Sequence, residues 1–384
     1  MKILGVRLTF WRAVFAVIAV CGLYATWVRF AYGLGAATNL SDKFPWGLWI
    51  GFDVLCGVGL AAGGFTLVAV VHIFNIERYR PILRPTILTA FLGYLLVIFA
   101  LMFDLGQPHR IWHPLVMWNP HSVMFEVGWC VTLYTTVLAL EFAPIVVEKF
   151  GWRRVARLLR AISVPLVITG VILSTLHQSS LGSLYLLVPE KLHPLWWTPL
   201  LPVFFFVSSI SVGLAMVIFE SWHSSRALNR QLELPLLQSL ARVLAVVLAV
   251  VLMGRFLDLN YRGVLPLAFQ PSWEAYMFWL EIGISATAMV LLFSSRVRRS
   301  PTAMYGASVL TIGGFMAHRL NVAVTGMEAG SGVHYFPRWT EVAVTLFIVG
   351  VGFAVFRVLA GVLPVFEALP SRHEDESIHV VRAA

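Results

Sequence analysis

His177, Gln178 and Ser179, inside the stretch STLHQSSLGSLYLL at 174–187, set an imidazole, a carboxamide and a hydroxyl side by side at the end of a long apolar run. Histidine exchanges protons near neutral pH, and its neighbours donate and accept hydrogen bonds, so the trio could hold and protonate a ligand carbonyl. A lone histidine at a helix end is more often structural; beside a buried carboxylate such as Asp53 or Glu126 it becomes a proton relay. Three more stretches carry related chemistry: KFPWGLWIGFD at 43–53, WNPHSVMFEVGW at 118–129 and HPLWWTPLLP at 193–202. There Trp46, Trp49, Trp118, Trp129, Trp196 and Trp197 are interleaved with histidine, amide and acidic side chains. Any one of these tryptophans fits an aromatic belt at a membrane surface. Together they describe a flat apolar slot with donors at one end. A quinone needs that arrangement: a ring to be sandwiched, two carbonyls to be hydrogen-bonded, and a source of protons as electrons arrive.

The elements that must position these groups follow from composition. The 384 residues are 59% hydrophobic and 12% charged, with mean hydropathy +0.82, which excludes a water-soluble fold. The formal charge of +9 is spread over short segments between apolar runs, where it reads as a topology signal and not as a nucleic-acid surface. Cys21, Cys56 and Cys130 lie inside apolar runs without the close spacing of a metal or iron-sulfur site. Lys2, Arg7 and Arg12 precede an apolar run that lacks a small-residue cleavage site, so a retained first helix is expected. Crossing a bilayer takes roughly 20 apolar residues. Ten stretches qualify, at about 10–31, 47–74, 84–105, 122–147, 157–177, 198–220, 237–258, 273–295, 302–324 and 340–363. The expectation is an all-α integral membrane protein, a bundle of about ten transmembrane helices over residues 1–369 with a polar cytoplasmic tail at 370–384. The ninth run is the least regular, interrupted by Gly313, Gly314, His318 and Arg319. Arginine and lysine concentrate in alternate loops, around 78–84, 149–160, 226–230 and 296–299, which places both termini in the cytoplasm. Gly59 and Gly63 have the spacing that lets another helix backbone approach.

With that topology, most ionisable residues inside the spans lie toward the outer face: Asp53, Asp104, Glu126, His177, Arg255, Asp258, Glu274, Glu281, His318, Arg319 and Glu341. Glu141 and Glu220 lie toward the inner one. A charge left unpaired at mid-helix costs about 2.5–3.5 kcal/mol on insertion scales, so each must be paired or hydrated. Snorkelling or ion pairing accounts for Glu274, Asp258 and Glu341; the convergence of Asp53, Glu126, His177 and Arg319 from separate spans points to a shared polar cavity. Arg255 and Asp258, three apart, are expected to pair on one face. Glu126 and Glu141, roughly 22 Å apart along one helix, could mark the ends of a proton route. A membrane b-type haem needs two histidines at one depth. The candidates reduce to His177 and His318, with His72 near the opposite face, so a two-haem stack is excluded.

Several blocks in fixed order, AYGLGAATNL, FPWGLWIGFD, RPTILTAFLGY, HSVMFE, LALEFAPIVVEKFGW, LHQSSLGSLYLL, HPLWWTPLLP, VIFE and YFPRWTEV, resemble the NrfD/PsrC superfamily of respiratory membrane subunits. Within it they are similar to HybB-type subunits of hydrogenase-2-like nickel-iron hydrogenases, traditionally labelled b-type cytochrome subunits. The resemblance implies about ten helices in a bacterial inner membrane and a menaquinone or ubiquinone site near the periplasmic face. It implies docking to a periplasmic ferredoxin-like iron-sulfur subunit that connects to nickel-iron hydrogenase catalytic subunits, and no haem. Carried over by motif, it marks His177, Gln178, Asp53, Trp46 and Glu126 as quinone-site residues, with Ser179, His193 and Arg319 behind them. Asp53, Glu126, Glu141 and Glu220 become candidates for a proton route, and no catalytic residue or metal ligand is expected in this chain. Two other classes remain: a secondary transporter, which should hold its polar site near the midplane in broken helices, and a structural anchor, which would not need the Asp53, Glu126 and His177 group.

Overall fold

The computed structural model describes residues 2–3, 6–7, 9–227 and 231–366; the expected tail at 370–384 and Arg230 lie outside the described residues. Extended pairing among them is confined to Lys2–Ile3 with Val6–Arg7 and a single bridge between Ser41 and Phe44. The rest of the regular structure is helix, the solution open to a chain that must satisfy its own backbone groups in lipid. We number the long elements α1 (Phe10–Tyr32), α2 (Trp49–His72), α3 (Arg80–Asp104), α4 (Val123–Phe150), α5 (Ser163–Leu186), α6 (Leu201–Ala227), α7 (Leu234–Tyr261), α8 (Trp273–Phe293), α9 (Pro301–Leu320) and α10 (Trp339–Val362). Among the described residues, nine of the ten are long and apolar enough to cross a membrane. The exception is α9, where average hydropathy misleads: its polar Ser308, Thr311, His318 and Arg319 are buried against neighbouring helices.

The helices alternate in direction and leave a tryptophan-rich end, holding the 33–48, 105–122, 187–200, 262–272 and 321–338 segments, and an arginine-rich end opposite. At the first, Arg338 reaches the Ala36 carbonyl and Arg262 the Pro194 carbonyl. At the second, Arg84 bonds the Pro364 carbonyl and Lys149 the Val362 carbonyl. Helix α2 is central, with 72% of its apolar window buried, whereas α1, at 17%, lies on the flank against α10. Gly63 of α2 meets Gly213 of α6 backbone to backbone: a Cβ on Gly63 would stand 2.9 Å from the Gly213 carbonyl oxygen. Gly59 accepts the Phe315 ring in the same way. Both expected small residues are therefore packing contacts, each to a named partner.

Two departures from the expected spans matter for function. The fifth run does not end at 177: α5 continues to Leu186, so His177 and the polar residues after it are interior to a helix. Its expected first residues belong instead to a separate nine-residue helix, Arg153–Ala161, set off because Gly151 turns the chain through φ +69° and four arginines there cannot enter hydrocarbon. Helix α6 likewise passes Glu220 and runs on to Ala227. A third feature has no periodic signature: Trp49–Cys56 in α2 and Asn321–Thr325 after α9 are π-helical, and they pack on each other through Gly51 and Ala323.

Candidate functional site

One face of α5 is polar and sealed. Ser174, His177, Gln178 and Ser180 are all buried, with Ser174, His177 and Ser180 at successive i, i+3 steps. His177 Nδ1 lies 3.0 Å from the Tyr94 hydroxyl on α3, and Tyr94 stands edge-on to Tyr134 of α4 at 4.6 Å between ring centres. Gln178 Nε2 donates to the Val58 carbonyl on α2 at 3.1 Å. Ser180 Oγ shares its proton between the Leu176 carbonyl and Glu126 Oε1, each at 2.6 Å. Glu126 itself is exposed in the first turn of α4, so this bond runs from the protein surface to the buried face. Ser179 is half-buried and turned back onto the Thr175 and Leu176 carbonyls. Trp46, also half-buried, stands edge-on to Tyr185 at 5.7 Å, and Tyr185 adjoins Phe205. His177 Nε2, Tyr134 OH, Ser174 Oγ and Tyr185 OH have no hydrogen-bond partner among the described residues. Buried donors are seldom left so. Unspent donors behind an aromatic wall suit a flat ligand with carbonyl oxygens, so the residues present fit a quinone head group.

Asp53 belongs to a different network. It accepts from Thr345 of α10 at 2.8 Å and shares no hydrogen bond with His177. Nearby, Arg29 of α1 donates to the carbonyls of Phe103 and Leu105 at 2.5 and 2.6 Å, while Asp104 Oδ1 is buried without a partner. Glu341 is fully buried and does not snorkel: it accepts from the Asn39 and Arg338 amides and from the Tyr335 hydroxyl. Burial and the Glu341 bond push the Tyr335 phenol well above its ordinary range, keeping it a donor. His193, in the 187–200 segment, accepts the Leu195 amide on Nδ1 at 3.2 Å. Burial lowers its pKa, and the Glu274 charge opposes that.

The expected Arg255–Asp258 pair does not form. Asp258 pairs with Arg262 at 2.8 Å and accepts from Thr198, whereas Arg255 crosses to Glu281 on α8. Glu281 is 1% exposed and is the hub of the second half of the bundle. It is bound by Arg255, by His318 Nδ1 at 3.1 Å, by Trp196 Nε1 at 3.0 Å and by Asn321 Nδ2 at 2.7 Å. Arg319 stays apart from this carboxylate. It donates to the Phe205 carbonyl and Ser208 hydroxyl, both at 3.0 Å, and lies over the Phe205 ring. Beside the hub a cavity of about 30 Å³, lined by Arg255, His318, Ser208, Ser211, Ser285 and Thr311 among others, has room for about two waters. Toward the arginine-rich end, Glu220 accepts from Ser224 at 2.7 Å, its other oxygen faces no donor, and it borders a cavity of about 10 Å³. Glu141 is half-buried beside Gly170 of α5.

Tyr94, Tyr134, Glu281, Arg255, Asn321 and Thr345 are the functional or organising residues that the sequence reading did not select. Two signals were available: a tyrosine within an apolar run must find a partner, and opposite charges on separate spans can pair as readily as charges on one. His177 and His318 do not fit a haem as arranged. Each commits Nδ1 to a side chain, and the rings pack against Tyr94 and Phe205, leaving no space for a macrocycle.

Comparison with known proteins agrees with this architecture. The chain is 39% identical to a protein of Nitratidesulfovibrio vulgaris over 92% of this chain and 94% of the other. It is 33% identical to the probable Ni/Fe-hydrogenase 2 b-type cytochrome subunit of Escherichia coli K12, over 91% and 90%. It is 28% identical to the menaquinone reductase integral membrane subunit of Nitratidesulfovibrio vulgaris, over 93% and 91%. The family described as polysulphide reductase, NrfD, matches residues 36–329. Such coverage takes in every helix from α2 to α9 and the polar face of α5, and the chain belongs to the NrfD family.

Proposed function

We propose that this chain is the quinone-reactive membrane subunit of a respiratory oxidoreductase of the nickel-iron hydrogenase type. It would pass electrons between an iron-sulfur subunit docked at the tryptophan-rich end and a menaquinone or ubiquinone pool. The observation that carries the reading is the polar line from exposed Glu126 through Ser180 to the His177 face, with four unspent donors and acceptors behind Trp46. The names of the Escherichia coli and Nitratidesulfovibrio relatives support it. The excess of arginine at the opposite end supports a cytoplasmic assignment there, which puts the site near the periplasmic face of a bacterial inner membrane.

A bound quinone takes up two electrons and two protons as it becomes a quinol. The protein's part is positional and protolytic. Trp46 and Tyr185 form the wall against which a ring lies; His177 Nε2 offers a proton or a hydrogen bond while Tyr94 holds the imidazole through Nδ1. Gln178, pinned to the Val58 carbonyl, fixes α5 against α2 and with it the height of His177. Glu126 and Ser180 provide the exchange route to the surface. Asp53 and Arg319 act from neighbouring networks, and Glu141 and Glu220 are the inner-side groups through which protons from the cytoplasm would enter if turnover is coupled to translocation.

The test is quinone reduction by the purified complex carrying His177→Ala or Glu126→Gln, with artificial-dye reduction measured alongside. Loss of the quinone reaction with the dye reaction intact supports the site. Unchanged quinone reduction in both variants, in an assembled complex, overturns it.

A further inference from the structure

The helix Arg153–Ala161 takes no part in the proposed site, yet it is the most sharply two-sided element of the molecule. At about 100° per residue, Arg160, Arg153, Arg157 and Arg154 fall within an arc of roughly 120°, and Leu158, Val155, Leu159 and Ala156 fill the opposite side. All four guanidinium groups are exposed within roughly 10 Å of helix, and none makes an ion pair among the described residues. The nearest carboxylate in sequence, Glu148, is already held by Arg84 at 2.9 Å. Only Leu159 is buried, seated where the helix crosses the ends of α4 and α5. Leu158 is 62% exposed and Val155 41%, beside exposed Phe150 and Trp152, whose rings lie 5.7 Å apart. Four like charges without counter-charges sit next to an uncovered apolar strip.

The geometry points to an interfacial helix that binds the phosphate headgroups of anionic phospholipids, with the acyl chains lying against Leu158, Val155 and Trp152. Charge calls for phosphate or another multiply anionic group. The apolar strip selects a lipid over free phosphate, because a soluble anion would leave that strip in water. The level of the helix agrees: it lies across the ends of two membrane-crossing helices, where headgroups are. The inference is independent of the quinone reading.

The test uses the full chain in phosphatidylcholine vesicles doped with spin-labelled phosphatidylglycerol or spin-labelled phosphatidylcholine, comparing the motionally restricted fractions. Wild type is expected to prefer the anionic probe, and the preference should fall as salt rises. An arginine near a charged surface contributes about a fivefold factor. Arg153→Gln/Arg157→Gln is therefore expected to lower the preference several-fold, and Arg153→Lys/Arg157→Lys to keep it, which separates charge from folding. Equal restriction of the two probes by wild type, or an undiminished preference in the glutamine variant, overturns the proposal. So does competition by millimolar inorganic phosphate, which would assign the patch to a free anion. Loss of other subunits from the purified complex with lipid preference unchanged would assign it to an acidic protein and overturn it as well.

Discussion

Ser180 on α5 bonds Glu126 on α4 at 2.6 Å, and that contact joins an exposed carboxylate to a helix face otherwise closed to the surroundings. If protons follow it, removing the charge should slow the chemistry more than the binding. Glu126→Gln keeps the shape and is expected to lower kcat for quinone reduction about tenfold or more, equivalent to about 1.4 kcal/mol of barrier, with KM little changed. Ser180→Ala should act in the same direction and less strongly. Steady-state kinetics on the assembled complex, with dye reduction as control, decides it.

Tyr94→Phe removes the only partner of His177 Nδ1 inside a buried site. An unsatisfied buried group costs about 1–3 kcal/mol. The expected outcome is a lower thermal midpoint of the purified chain together with a raised KM for quinone, because the imidazole is free to rotate. A change in midpoint alone would make Tyr94 purely structural.

Breaking the hub is predicted to be worse than removing it. Glu281→Ala leaves Arg255 buried and unpaired, which costs about 3–5 kcal/mol. The double variant Glu281→Met/Arg255→Met should lose clearly less than the sum of the two single variants, measured as denaturation midpoints in one detergent. Additive losses would mean that the pair is not coupled.

His193 carries a pH dependence whose sign is fixed by its lowered pKa. In the folded chain the imidazole is kept neutral, so its contribution is complete above the unfolded value near 6.5 and is lost as pH falls from there through the folded pKa. Protonation also removes the Nδ1 acceptor of the Leu195 amide. Hydrogen exchange in the 190–200 peptide should therefore accelerate between pH 7 and pH 5 beyond its intrinsic pH trend, and His193→Asn should abolish that extra acceleration.

Much of this was legible in the sequence because lipid imposes simple demands. Apolar run length located the helices, and the polar residues of LHQSS marked a face that had to be satisfied. What stayed hidden was lateral. Hydropathy at 157–177 merged an arginine-bearing surface helix with a spanning one, so His177 was placed at a helix end that lies nine residues further on, at Leu186. Local spacing suggested Arg255 with Asp258, but a carboxylate 26 positions away on α8 is nearer in space. Asp53 and His177 share a depth and bond to α10 and α3, respectively, because depth says nothing about which way a helix is turned.

The π-helical stretch at Trp49–Cys56 bears on which sequence changes this protein can absorb. A wider turn accommodates extra residues with little gain in span length, so its effect is rotational: each residue removed would turn the rest of α2 by about 100°. Gly57, Gly59 and Gly63 would swing away from Val97, Phe315 and Gly213, which they now admit. A single-codon deletion here would misphase the central helix against three neighbours at once, whereas a deletion in the exposed 105–122 segment would shorten a loop. Helical phase, and not span length, is the quantity this part of the chain holds constant.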